Sequence, residues 1–587
     1  MSSIKRMLVL SVVTIISLCA NAAEFVWTGE NGNKWSEASN WKSAGVVASD
    51  APGEADTVVF DSTSSADCEI DVPKVKALSI HKSYTGTLTL SSDFIAIDEF
   101  VQSNGVFTCG EHTFTIGQAN GIANNSKRGI FSLIGGVFNA PSTTMYWSPC
   151  NGRVEFLIES TAQFNHNYGE VAFSGPNNNS SRLRSNVTFY NVRFYGKFSV
   201  CAQGGTTNRV LGTLRSTGAG FNSVGDSQDM QVSTPSAWFT TGVKNATFAV
   251  EGDIYFSNEE NLGKDKMGGS GTVCLCGDKD QIIHIEGGYL PTLTIDKPQG
   301  TKVTCDIDED KPLIIDGIGS NFNPHFVLHS GTFVMPKAGL LFSDARWSNF
   351  YVMGGVVENK EAPVEFRVID SVGIYIDIDY PLRDFKLSGG KANITKPLSI
   401  IGDIEIGEKG QFAVGSSDRY LNICGSGDQR YKNTSGINLV ESGSSNYGHV
   451  RLNKPSGKLY LENPLRSKFV KFESDSHLVF SVTNATSQVS SIGDGGWNTP
   501  VVKANSRELQ FSSGVNITLE VAGKLNGASP TKWNMFSWVH ALKDYESCSF
   551  DFILPPGASK PKLVKDDANK NIFLQYRYAS GMKVIVR

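Results

Sequence analysis

Charge is scarce: Asp, Glu, Lys and Arg make up 19% of the 587 residues against 40% hydrophobic ones, too apolar a balance for a disordered chain. Helical periodicity is also missing. No stretch longer than about ten residues repeats apolar positions at helical spacing between caps, which excludes a helical protein. The nearest candidate, MFSWVHALKDYES at 535–547, reads equally as a strand and a turn. After the apolar run from Leu8 to Cys19 no segment is long and apolar enough to span a bilayer as a helix. The ten cysteines are scattered, unlike those of a small disulfide scaffold. Cleavage beyond Cys19 would leave nine, so a few bridges can form and at least one thiol stays unpaired. H-E-x-x-H, G-x-S-x-G and phosphate-loop patterns are absent, which removes the readiest signatures of zinc proteases, α/β-hydrolases and NTPases.

What is present begins with a processing signal. Lys5 and Arg6 precede the Leu8–Cys19 run, and Ala20-Asn21-Ala22 forms a small-residue cleavage site, so residues 1–22 read as a signal peptide. The mature chain is then expected to be secreted, extracellular or at the cell surface. Losing two positive charges moves the net charge from −5 to −7. A mildly acidic chain predicts neither nucleic acid nor anionic membrane as a partner. Extracellular polysaccharide or other surface components are the expected partners.

The body of the chain carries a module twice. GTVCLCGDKDQIIHIEGGYLPTLTIDKPQGTKV at 271–303 matches LNICGSGDQ and HVRLNKPSGKLYL within 421–461. Cys276 falls on Cys424, Gln281 on Gln429, Lys297-Pro298 on Lys454-Pro455, and Gly300 on Gly457. Such repetition predicts a solenoid, whose units cannot bury an apolar face alone. Glycine turns recur before alternating strands at Gly105, Gly136, Gly331 and Gly355, the last two 24 residues apart, close to one coil of a parallel β-helix.

Near the mature N-terminus, FVWTGENGNKWSEASNW leads into PGEADTVVF at 52–60. Trp27, Trp35 and Trp41 could form a sugar-stacking platform. The preferred reading is a cap that closes the stack, with Asp56 bonding loop amides. The W-x-G-x-x-G-x-x-W-x-x-x-x-N-W and P-G-x-x-D-x-V-x-F patterns here resemble the start of large secreted bacterial β-helix proteins. These are similar to autotransporter passengers and their adhesin-like relatives. The closing YRYASGMKVIVR lacks the long alternating strands of a translocator barrel, so none is expected.

Four acids are the best catalytic candidates. Asp306 and Asp308 in CDIDED, and Asp377 and Asp379 in IDIDYP, alternate along strands, so each pair projects from one face. Two carboxylates suit glycoside cleavage, and hard oxygens suit calcium. Lys311, however, stands where a calcium loop needs Gly, and Glu462 repeats the acidic position in the second module, as a solvated edge would. Cys274 and Cys276 with His284 suggest zinc, but the second copy has Asn422 in place of Cys274, so core packing is preferred. No catalytic, cofactor or metal residue is therefore assigned.

The expected fold is all-β: an elongated right-handed parallel β-helix with N- and C-terminal caps, and a string of β-sandwiches as the alternative. The expected divisions are a Trp-rich cap at 23–80, β-helix repeats at 81–480, a polar connecting stretch at 481–506 and a C-terminal β cap at 507–587. The expected function is a secreted structural or adhesin-like surface protein without catalytic activity. The alternative is a β-helix carbohydrate-active enzyme or carbohydrate-binding protein.

Overall fold

Alternating side chains dominate the architecture. In Thr247–Val250, Thr272–Leu275 and Leu421–Cys424 every second residue is buried and its neighbours are partly exposed. A two-residue period with one apolar set can bury that set only as a strand. The computed structural model describes residues 23–117, 129–149, 154–174, 182–195, 200–203, 205–217, 221–224, 246–257, 272–286, 290, 292–316, 325–343, 348–367, 373–414, 419–434, 449–481, 500–504, 508–522 and 532–578. Among these there is no α-helix, only strands and short 3-10 turns at Ala38–Asn40 and Tyr545–Ser547. The signal peptide lies outside the described residues, as does most of the polar 481–506 stretch. The ambiguous 535–547 segment is strand, then turn.

The described chain forms two compact units, one ending at Gly169 and the other beginning at Glu170. In the first, Thr57–Phe60, Lys74–Ile80 and Phe94–Gln102 pair in parallel. The chain enters through an antiparallel set, Glu24–Trp27 with Trp41–Ser43 and Trp41–Ser43 with Val46–Val47. A separate five-stranded parallel sheet stacks Phe107 on Phe138 and Phe138 on Phe164, with ring centroids 5.5 and 5.8 Å apart. On its other face Asn165 donates to Asn139 Oδ1 (2.7 Å), and Asn139 donates to Thr108 Oγ1 (3.0 Å). The turn before Gly136 needs glycine: its φ is 79°, and a Cβ there would lie 2.5 Å from Gly105 O.

The second unit contains an 18-stranded sheet. Phe248, Val273, Leu293, Phe326, Phe350 and Ile376 follow one another in register along it, each at most 1% exposed. Each such burial contributes about 1.5–3 kcal/mol. Thr332 pairs with Val356, so the 24-residue glycine spacing is one coil. The unit finishes in antiparallel strands, Lys532–Ser537 with Asn571–Tyr578 and Asn571–Tyr578 with Ala558–Asp566. Parallel coils of this kind make a β-solenoid.

Candidate functional site

The repeated module is a polar tie between coils. Gln281 and Gln429 point inward, each 1% exposed. Gln281 Nε2 donates to the carbonyls of Val250 (3.0 Å) and Gly252, and Gln429 Nε2 donates to those of Ile400 (3.1 Å) and Gly402 (2.8 Å). A side chain of the following coil thereby donates to carbonyls of the coil before it, Val250 O accepting the Cys276 N–H as well (2.9 Å). The lysines face inward as well. Lys297 and Lys454, each 1% exposed, have pKa values lowered by burial. Lys297 Nζ donates to Cys276 O (3.0 Å), Gly277 O (3.3 Å) and Gln281 Oε1. Lys454 Nζ donates to the carbonyls of Gly425 and Gly427. Gly457, at φ 73°, closes the following turn so tightly that a Cβ would lie 2.4 Å from Gly427 O.

Aspartates that open strands serve the same stacking. Asp253 and Asp280 accept the backbone N–H of Ile282 and Lys302, both at 2.7 Å. In the second copy Asp403 and Asp428 accept those of Arg430 (2.7 Å) and Lys458 (2.8 Å). The sequence signal, an Asp just before or opening a strand one coil back, was there to be read.

The candidate acids do not gather as one set of four: Asp377 and the exposed Asp379 both act on Lys396, and the Asp377 strand lies in a different sheet from that of Asp306. Asp306 sits in the strand Lys302–Asp306 and bonds His284 Nδ1 (2.8 Å), while Asp308 pairs with Lys311. Asp377 ends Gly373–Asp377, in a different sheet, and pairs with Lys396 at 2.5 Å. Asp306 and Asp308 have side chains 72% and 65% exposed, so water solvates both. In the second module Glu462 sits beside Lys432, whose pKa rises, first through Glu405 and least through Glu462. The acidic strand ends thus face bases in both copies.

No protein-family model, curated protein or solved structure matches the chain.

The tryptophans offer no stacking platform, since Trp27, Trp35 and Trp41 are all 0% exposed. The Trp41 ring lies 4.9 Å from that of Trp27 and 4.8 Å from that of Trp35, and all three pack on Phe60 at 5.6–6.0 Å. Each indole N–H reaches a backbone carbonyl: Ala66 (3.0 Å), Pro52 (3.0 Å) and Trp35 (2.7 Å). Asp56 accepts the Gly53 N–H at 2.9 Å.

Cys274 and Cys276 correct one expectation. They are not core residues: Val273 and Leu275 take the inward positions, leaving both thiols half-buried in the outward row. His284 belongs to a different sheet, its ring stacked on Tyr255 at 4.3 Å. Among the described residues no three His, Cys, Asp or Glu side chains gather as a metal site, and Cys68, Cys109, Cys274, Cys276, Cys305, Cys424 and Cys548 are unbridged.

One feature of the sequence went unread. Between Glu170 and Asp226 the chain has six basic residues, Arg182, Arg184, Arg193, Lys197, Arg209 and Arg215, and no acid. With a net −5 overall, the rest carries −11. The whole-chain average concealed a basic band.

Proposed function

We propose that the protein is a secreted, non-catalytic scaffold of stacked coils, adhesin-like in presenting long strand faces to its surroundings. What supports this reading is that Asp306 bonds His284 and Asp308 pairs with Lys311 at the end of one strand, while Asp377 pairs with Lys396 in a different sheet. Glycoside cleavage needs two carboxyl groups at a fixed separation, one of them commonly raised in pKa by an apolar setting. In the module, Gln281, Lys297, Gln429 and Lys454 join one coil to the next.

The test is direct. The purified chain is incubated with neutral and acidic polysaccharides, with and without calcium, while reducing ends and unsaturated products are followed. No turnover is expected; turnover lost in the Asp377→Asn, Asp379→Asn double variant overturns the reading. For export, residues 1–22 fused to a reporter should carry it out of the cell with cleavage after Ala22, and an uncleaved cytoplasmic fusion contradicts that part.

A further inference from the structure

We infer that the outward face of the first unit's five-stranded sheet, with the turn at Tyr168, binds a neutral, extended polysaccharide of the β-linked glucan class. The inference deepens the scaffold reading, resting on it for an exterior location, and names what the scaffold would hold.

Two rows run along this face across four successive parallel strands, all within the first unit. Thr89, Thr108, Asn139 and Asn165 follow one another in register, and beside them run Thr87, Val106, Val137 and Gln163. Neither row holds a charge over these four rungs. Acids come one strand earlier: Glu69, opposite Thr89, is paired with Lys34, and Asp67 accepts the Thr87 N–H at 2.7 Å. The side-chain amides all donate in one direction. Gln163 Nε2 donates to Asn165 Oδ1 (3.1 Å), and the chain of bonds continues through Asn139 to Thr108 Oγ1. Each of the three amides keeps a second N–H beyond the bond it makes within the row.

The rows end in a strained turn. Asn167 and Tyr168 both have positive φ, 45° and 61°, and the Gly169 N–H closes the turn on His166 O at 3.0 Å. Two positive-φ residues in such a turn favour Asn-Gly, so a tyrosine in the glycine place is costly. Tyr168 stands there all the same, 74% exposed. Its N–H donates to His166 Nδ1 (3.0 Å), and the His166 ring stands edge-on to it at 5.3 Å. Asn167 Nδ2 ties the turn to Ala140 O (2.8 Å), next to the row residue Asn139. Stability alone would place glycine here, and an exposed ring kept at this cost points to a contact outside the chain.

The chemistry of the face selects the partner. Its amides and hydroxyls suit sugar hydroxyls, while Val106, Val137 and Tyr168 suit the C–H faces of pyranose rings. An anionic chain would want Arg or Lys, and neither row has one. Rungs about 4.8 Å apart in line fit a chain that runs straight. β-1,4-linked glucans do so, whereas α-1,4-linked ones coil.

The experiment titrates the purified full chain with cellohexaose, maltohexaose and a β-1,4-glucuronate hexamer. Cellohexaose should bind equally at low and high salt, and the other two about tenfold more weakly. Tyr168→Gly should weaken cellohexaose binding about tenfold while the melting temperature holds or rises, because glycine relaxes the turn. Thr89→Ala with Gln163→Ala, both at exposed positions, should weaken it about threefold with an unchanged melting curve. Absence of cellohexaose binding overturns the inference, as does wild-type affinity in either folded variant. So does maltohexaose or the glucuronate binding as tightly as cellohexaose. A dimer in sedimentation that Tyr168→Gly disperses would assign the face to a second copy and overturn it too. Because the measurement uses purified protein, failed export would leave it standing, and failed binding would leave the scaffold reading standing.

Discussion

Replacing Gln429 with Leu probes the tie between coils with little change in volume. The substitution removes the two hydrogen bonds from Nε2 to Ile400 O and Gly402 O. Two buried carbonyls lose a donor at about 1–3 kcal/mol each, offset by about 1–2 kcal/mol from burying an apolar side chain. The midpoints of these ranges net to an expected loss of about 2–3 kcal/mol. Gln281→Leu should cost more, because it also takes Oε1 from the Lys297 ammonium, a further ~1–3 kcal/mol. In a solenoid these losses fall on neighbouring coils rather than the whole chain. Hydrogen exchange followed by mass spectrometry should therefore show faster opening at 398–433 for one variant and 247–303 for the other. Losses below about 0.5 kcal/mol in both, or a larger loss for Gln429→Leu, would refute the inward tie.

Other expectations follow from the same contacts. Trp35→Ala with Trp41→Ala, at about 3–5 kcal/mol for each buried ring, should unprotect residues 24–60 and promote aggregation; unchanged melting with lost glycan binding would contradict the packing role. Asp377→Asn with Asp379→Asn should shift stability by less than about 1 kcal/mol in denaturant titration, since the Lys396 pair is half-exposed. Burial raises the pKa of Cys109 and Tyr431 and pushes Cys274 up to about 12. These groups stay neutral in the fold but ionise in the unfolded chain above its ordinary values of 9.0 for thiols and 10.0 for phenols. Melting temperature should thus hold below pH ~9 and fall above it. Lys297, lowered from 10.5, acts in the opposite sense, its charge penalty easing as pH rises, so Lys297→Met should steepen the alkaline fall; a shallower one counts against the buried ammonium.

The coil was legible because period and turn chemistry agree: the Gly331 to Gly355 spacing reappears as the Thr332–Val356 register. Side-chain direction was legible too, but residue type was allowed to override it. Counting alternately from Ile295 puts Asp296 out and Lys297 in, yet a Lys beside a Pro looks like a turn residue. The same count from Val273 and Leu275 turns Cys274 and Cys276 outward, against the general preference of cysteine for cores. In both cases the strand's phase, fixed by many apolar neighbours, outweighs what one side chain prefers. The basic band escaped for another reason, since a whole-chain net charge averages over the 171–225 stretch. The division at residue 169 leaves no mark in composition, because similar strands lie on both sides of it.

Stacking itself is best measured as a distance. Ser399, Asn422, Arg451, Lys471, Gln510 and Lys543 follow one another in register across five steps of one sheet. Spin labels can be attached there through ketone-bearing side chains, which spares the native thiols, and read in pairs by pulsed electron resonance. At ~4.8 Å per coil, Ser399 and Lys543 should lie about 24 Å apart and Asn422 and Lys543 about 19 Å, the distance growing by one coil spacing per step. A string of separate sandwiches would show no such progression, and distances that do not scale with the number of steps would contradict the parallel stack.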